Sequence, residues 1–470
     1  MDSHYDLVVI GSGPAGEKGA AMAAYNGKRV AVVERAPRVG GTMVDGVAST
    51  KTMREAAIYL TSFRRRAIYG VGMEIEPQLA VHGVQERTHE VELLLSKAVQ
   101  DNLDRHGIEL IRGHAQLCGE GRVTVRSASG PQRDITADVV LVATGSKPFH
   151  PTGMPFDHRD VLDSDTARSL DRPVRTMAVI GGGAIACEYA SIFAALGTAV
   201  TLVESRDRLL PYMDGQISEL LAQAFGEMGV DVVLGAGHAN VAVDDDGVAV
   251  TLADGTVMYP NKVIVAAGRV GTTGDLGLEA AGVETDAHGY VVVDERFATS
   301  ATGVFAAGDV TGPPALASVS MEQGRVAVCH AFDIPLRDAV DRLAPLGVYS
   351  IPEAAAIGMT EEAARAAYDD VEVGRARLSR NARTAITGGS PGLVKLVFRR
   401  SDRRLLGAHV LGDNATELVH QPQAVINSGG RIDFFINATF NTPSQSEAFK
   451  YAAYDGLSKL ENRPTLTVNA

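Results

Sequence analysis

A chain of 470 residues has room for more than one domain, and its 45% hydrophobic content can fill sizeable cores. A formal net charge of −13 argues against a basic nucleic-acid surface. Three cysteines, Cys118, Cys187 and Cys329, lack CxxC or metal-ligand spacing, which argues against a disulfide-stapled secreted framework and a cysteine metal site.

Met1–Asp6 has no basic leader and runs directly into the strand Leu7-Val8-Val9-Ile10. No apolar run reaches the roughly 18 residues of a membrane span. A cytoplasmic protein without membrane or nucleic-acid partners is expected. The strand ends in Gly11-Ser12-Gly13-Pro14-Ala15-Gly16, opens an alanine-rich helix and is followed by the strand Arg29–Glu34. This is the dinucleotide fingerprint in its full context. Gly11 permits the tight turn, Gly13 lets backbone approach a pyrophosphate, and Gly16 lets helix and strand pack closely. Glu34 is placed for an adenosine ribose, and the helix N-terminus supplies N–H donors to phosphate.

Helices are expected from Lys51 to Arg66 and from Glu90 to His106. In the first, Met53, Ala56, Leu60 and Phe63 form a core stripe, and Arg64-Arg65-Arg66 a solvated helix end. An apolar strand then ends at Thr144-Gly145. The fingerprint grammar returns at Gly181-Gly182-Gly183-Ala184-Ile185-Ala186, with Ala186 in the third-glycine place. Glu204 closes the following strand and favours the ribose diol of NAD, whereas Arg206 and Arg208 could pair with a 2′-phosphate. NADH is the first choice, with NADPH left open. Further strands end at Gly268-Arg269 and Gly308-Asp309. Beyond Gly347, Val348–Glu353 and Leu393–Phe398 predict an antiparallel sheet covered by helices near Ala415–Ser428 and Ser446–Leu460. The expected fold is α/β, with parallel nucleotide sheets and a C-terminal α+β cap. The expected divisions are 1–148, 149–272, 273–345 and 346–470.

This order of motifs resembles the two-dinucleotide-binding flavoprotein family of dihydrolipoamide dehydrogenase, glutathione reductase and the soluble pyridine nucleotide transhydrogenases, over essentially the whole chain. Within it, Thr52–Thr61, Cys187–Gly197, Arg206–Leu210, Phe440–Pro443 and Glu447–Lys450 are most similar to the transhydrogenases. The resemblance implies two Rossmann-like domains, for FAD and NAD(P), and a C-terminal dimerisation domain, hence a homodimer. It implies FAD held by Gly11, Gly13, Gly16, Glu34, Lys51, Thr144, Gly145, Gly308, Asp309 and Ala317. Gly181, Gly183, Glu204, Arg206, Gly268 and Arg269 would hold NAD(P)H.

Two departures matter more than the matches. Disulfide reductases carry cysteine, four residues, cysteine, Ile-Pro-Ser-Lys beside the flavin. Here Met43 takes the first cysteine place, Val47 or Ala48 the second, and Ser49-Thr50 replaces Pro-Ser. Lys51 survives, and by resemblance lies beside flavin N5 with Glu188 as charge partner; these two are the expected catalytic residues. The family's catalytic His is replaced by Thr442, before Pro443 and five residues ahead of Glu447, and a threonine cannot exchange protons near neutral pH. Glu447 is then either a relic of that pair or a helix N-terminal acid. Each remaining cysteine is expected to be a small buried hydrophobe, Cys118 in a strand. The resulting expectation is an FAD-dependent NAD(P)H oxidoreductase without a redox disulfide, transhydrogenase-like. Alternatives are a quinone, enone or specialised metabolite as acceptor, or a retired flavoprotein serving as a binding subunit.

Overall fold

The structure, a computed structural model, describes residues 3–65, 77–127, 130–245, 247–341, 343–390 and 392–460. Arg66 and the side chains of Phe63, Arg64 and Arg65 lie outside the described residues. The chain forms two compact units. The first gathers Met1–Thr52, Glu86–Phe149 and Gly268–Arg342, the second Met53–Gln85, His150–Ala267 and Leu343–Ala470.

In the first unit the parallel strands Glu109–Arg112, Val30–Glu34, Ser3–Ile10 and Arg133–Val142 lie side by side. The long strand Arg133–Val142 then divides its free edge. Its start pairs antiparallel with Arg122–Arg126, and its end pairs parallel with Val304–Ala306. Alternation splits the apolar strand Leu7–Ile10 between two cores. Leu7 and Val9 pack with Ala20, Ala23, Leu103 and Val328 of three helices, while Val8 and Ile10 pack with Val123, Val125 and Leu276 on the opposite face. The helices Pro14–Tyr25 and Ala317–Ala331 approach through glycine, because a Cβ on Gly324 would stand 2.1 Å from Ala15 O and one on Gly19 would stand 3.0 Å from Gly324 O.

The second unit repeats the plan with the parallel order Asp231–Val233, Ala199–Val203, Thr176–Ile180, Lys262–Val265 and Val161–Asp163. Met53, Ala56 and Leu60 pack into its core, as the stripe predicts. Its C-terminal part is a five-stranded antiparallel sheet in the order Leu346–Val348, Ala354–Gly358, Leu405–Leu411, Leu393–Arg399 and Val371–Arg377. Helix Glu447–Leu460 lies directly on this sheet, since a Cβ on Gly374 would come within 1.9 Å of Ala452 O. Residues 349–353 are not the expected strand. The amide of Tyr349 donates to Glu188 Oε1 (2.9 Å) and that of Ile351 to Ser191 Oγ (3.1 Å), so side chains take the bonds a ladder would need. The expected helix near Ala415–Ser428 is two helices, Ala415–Leu418 and His420–Asn427. The expected helix at Glu90 begins earlier, at Pro77, a residue suited to a first helical turn.

An ion cluster is buried where that sheet meets the Rossmann helix Gly215–Glu227. Lys395 Nζ, on a side chain 2% exposed, bonds Asp214 Oδ1 at 2.7 Å and Glu361 Oε2 at 2.8 Å. Asp214 also caps the helix by accepting from Gln216 N. Burial alone would raise both carboxyl pKa values, but the Lys395 hydrogen bond and its neighbours outweigh it and hold both below their ordinary values. His409 lies beside them, and burial pushes its pKa down.

Candidate nucleotide sites

The two fingerprints share a steric logic. A Cβ on Gly11 would stand 2.5 Å from Ala143 O, and one on Gly181 2.5 Å from Ala266 O, so both positions pack against the neighbouring strand's backbone. Their φ angles, +102° and +120°, reinforce the requirement. A Cβ on Gly16 would sit 2.0 Å from Gly11 O. The middle glycines differ: a Cβ on Gly13 or Gly183 meets nothing within 4 Å. Neither crowding nor a positive φ explains glycine there, and close approach by a ligand does.

In the first unit Glu34 is buried at the end of its strand. Its Oε2 accepts from Ser12 N (2.9 Å) and Ser12 Oγ (2.6 Å), and its Oε1 from Ala36 N (2.8 Å). The carboxylate is thereby fixed beside a helix N-terminus, whose unpaired N–H groups suit an anion. Thr144 Oγ1 donates to Thr272 O (2.7 Å), tying Thr144-Gly145 to the returning chain. Asp309 follows Gly308, whose Cβ would strike Ala15 at 2.9 Å, and accepts from Ser146 Oγ (3.2 Å) and Ser320 Oγ (3.0 Å). Gly308 N donates to Gln323 Oε1, and Ala317 opens the helix that carries Ser320 and Gln323. Arg269 reaches the same group, with Nε 2.8 Å from Ser146 Oγ. Glycine turn, fixed acid, exposed helix N-terminus and a second acid at a strand end are the parts FAD needs, so the residues fit that cofactor. Ser12, Ser146, Ser320 and Gln323 escaped the sequence reading, because no motif marks a serine that orients an acid, or a glutamine that holds the Gly308 amide, from elsewhere in the chain.

The remodelled segment belongs to the first unit. Met43–Ala48 is π-helical and runs without a break into helix Ser49–Arg65, which carries Lys51 in its first turn. Such wide turns are rare and concentrate at functional sites. Ser49, standing where the reductases have proline, donates to Glu92 Oε1 (2.6 Å). Glu92 Oε2 pairs with Arg38 (2.8 Å), and Arg38 with Asp45 (2.9 Å), so a ring of polar groups holds the turn.

In the second unit Glu204 is 4% exposed, and its Oε1 accepts from Arg206 N (2.8 Å) and Ser205 Oγ (3.0 Å). Gly182 makes room for it, since a Cβ there would stand 2.5 Å from Glu204 Oε2. Arg208 is engaged with Pro211 O and Glu362, whereas Arg206 is exposed and has no side-chain partner among the described residues. Glu188 lies on helix Ala184–Ala195 with its carboxylate on Tyr349 N. Lys51 belongs to the first unit and Glu188 to the second.

Thr442 Oγ1 donates to Glu447 Oε1 (2.7 Å), so the pair that a histidine and a glutamate would form is present with a hydroxyl in place of the imidazole. Glu447 is also the first residue of its helix. All three cysteines are free. Cys187 and Cys329 are buried, and burial pushes both thiols up, away from thiolate. Cys118, contrary to expectation, is exposed and lies just past the strand His114–Leu117, where the chain turns at Gly119.

The family described as pyridine nucleotide-disulphide oxidoreductase matches residues 5–324, and its dimerisation domain matches 344–453. The chain is 41% identical over 458 residues to a soluble pyridine nucleotide transhydrogenase of Mycobacterium bovis, covering 97% of this chain and 98% of that protein. It is 36% identical over 465 residues to one from Pseudomonas syringae pv. tomato, covering 97% and 99%. Among solved structures, LpdA of Mycobacterium tuberculosis superposes with a TM-score of 0.87 at 29% identity, covering 96% of this chain and 99% of that one. The HOCl-induced flavoprotein disulfide reductase RclA of Escherichia coli gives 0.84 at 27%, covering 95% and 98%. This chain belongs to the pyridine nucleotide-disulphide oxidoreductase family, as a transhydrogenase-like oxidoreductase that uses FAD and NAD(P)H.

Proposed function

We propose that the chain is a pyridine nucleotide transhydrogenase that exchanges hydride between NADH and NADP+ with no redox disulfide, as a cytoplasmic homodimer. The observation that carries this reading is the segment Met43–Ala48: no thiol stands in it, and its π-turn is fastened by Ser49, Glu92, Arg38 and Asp45 instead. When bound, FAD supplies the two-electron centre that takes hydride from one nicotinamide and returns it to another. Gly11, Gly13, Gly16, Glu34 and Asp309 hold its adenosine, pyrophosphate and ribityl parts. Lys51 provides positive charge at the flavin ring. Thr442 supplies no proton, and none is needed where no thiol is made.

The second fingerprint binds both nucleotides in turn. The Glu204 carboxylate is tied back by Arg206 N and Ser205 Oγ, and the exposed Arg206 side chain is left to meet a 2′-phosphate. Steady-state exchange between NADH and a thio-NADP+ analogue should give parallel double-reciprocal lines. Arg206→Ala should raise KM for the phosphorylated nucleotide roughly five- to tenfold, by loss of a charge-assisted bond, and leave KM for NADH unchanged. Intersecting lines would contradict a single shared site, and equal effects on both nucleotides would remove Arg206 from phosphate recognition.

A further inference from the structure

One side chain reaches the second fingerprint from outside the motif. After Glu204 the chain passes Arg206 and Arg208 and buries Leu209, Leu210 and Met213. Leu210, held at φ +45°, donates its N–H to Gly182 O (2.8 Å), which fastens this loop to the fingerprint itself. Between these anchors the Tyr212 side chain is 49% exposed, and its hydroxyl accepts the N–H of Ala184 at 3.1 Å. Ala184 is the first residue of the 12-residue helix that Gly183 caps. Its N–H is one of the unpaired donors that a dinucleotide's pyrophosphate takes. Independently, the open space beside Gly183, where a Cβ meets nothing within 4 Å, leaves room for that pyrophosphate next to the hydroxyl.

We infer that Tyr212 is a displaceable stand-in for the nucleotide phosphate: its hydroxyl takes the Ala184 N–H and gives way when a phosphate oxygen arrives. The inference rests on reading Gly181–Gly183 as the NAD(P)H site. The first fingerprint cannot work this way, because Pro14 stands at the position of Ala184 and has no N–H to offer. The contrast suits the two ligands, since a cofactor stays while an exchanged nucleotide must enter and leave in each half of the cycle. Each arrival trades one hydrogen bond for another, and each departure is met by a waiting hydroxyl. The net effect is weaker binding and faster release.

Tyr212→Phe removes the hydroxyl and keeps the ring. In calorimetric titrations of the oxidised, FAD-loaded variant, Kd for NAD+ and for NADP+ should fall together, roughly three- to tenfold, the worth of one hydrogen bond no longer displaced. The dissociation rate should slow in step, with FAD content and circular dichroism unchanged. An unchanged or raised Kd overturns the inference, a rise meaning that the hydroxyl binds the nucleotide directly. Gly183→Leu is the companion variant: if it keeps its FAD and still binds nucleotide normally, the site reading fails, whatever Tyr212→Phe does. A wild-type complex with NAD+ provides a second measurement. The Tyr212 hydroxyl should there lie beyond hydrogen-bond reach of Ala184 N, and its persistence at that donor would also overturn the inference.

Discussion

Gly13→Leu should yield folded protein without bound flavin. The backbone at Gly13 has φ −66° and ψ −176°, which any residue adopts, and a Cβ there touches nothing within 4 Å. The polypeptide alone therefore tolerates a side chain at this position. A pyrophosphate does not, because it must lie against the backbone at the helix N-terminus, in the space the leucine would fill. Gly16→Ala is the contrasting control. Its Cβ would be driven to within 2.0 Å of Gly11 O, so the strand-helix packing itself must give way and stability should fall. Absorbance of the released and bound flavin, beside circular dichroism, separates the two outcomes. Full flavin retention in Gly13→Leu would remove the first fingerprint from FAD binding.

Lys395→Met should destabilise the second unit by about 3–5 kcal/mol, because it strands the buried Asp214 carboxylate. Asp214 is 0% exposed and pairs with the Lys395 ammonium group, whereas Glu361 is partly covered and keeps Arg365 and Arg375. The pH dependence has a definite sign. Both folded carboxyl pKa values are depressed, so their stabilisation is present above the unfolded carboxylate pKa and is lost as pH falls through the folded values. The difference between wild type and Lys395→Met should therefore be largest near neutrality and shrink below about pH 4. His409 and Arg375, which face the same cluster, remain in both proteins and largely cancel in the comparison. Thermal or urea melts across that pH range measure it. A difference that does not vary with pH would mean that Lys395 acts through packing alone.

The parts of the fold that were legible in sequence are those whose signals are local. Leu7–Glu34 and Met177–Glu204 each place an apolar strand, a glycine turn, a helix and an acid within about thirty residues, so periodicity and turn chemistry agree. What could not be read depends on distant partners. Val348, Tyr349 and Ile351 are residues that strands favour, yet Glu188 and Ser191, far back in the chain, take the amides of Tyr349 and Ile351. Cys118 sits beyond a strand end rather than within it, because strand boundaries are set by pairing with Arg122–Arg126. Lys395 in a strand of valine and leucine looks like a surface residue until Asp214 and Glu361 are brought against it. In the candidate sites the glycines and acids are motif residues, while Ser12, Ser146 and Ser320 act on the acids, and Tyr212 on Ala184, through contacts that no motif spacing marks.

The most direct test of hydride exchange without a disulfide is anaerobic stopped-flow on enzyme in which Cys118, Cys187 and Cys329 are all replaced by Ala. NADH should bleach the flavin with no long-wavelength thiolate-to-flavin absorbance, and mixing the reduced enzyme with NADP+ should restore the oxidised spectrum at close to the wild-type rate. A long-wavelength band in the wild type that disappears in the variant, or reduced enzyme that ignores NADP+ yet is reoxidised by a disulfide, would contradict the account.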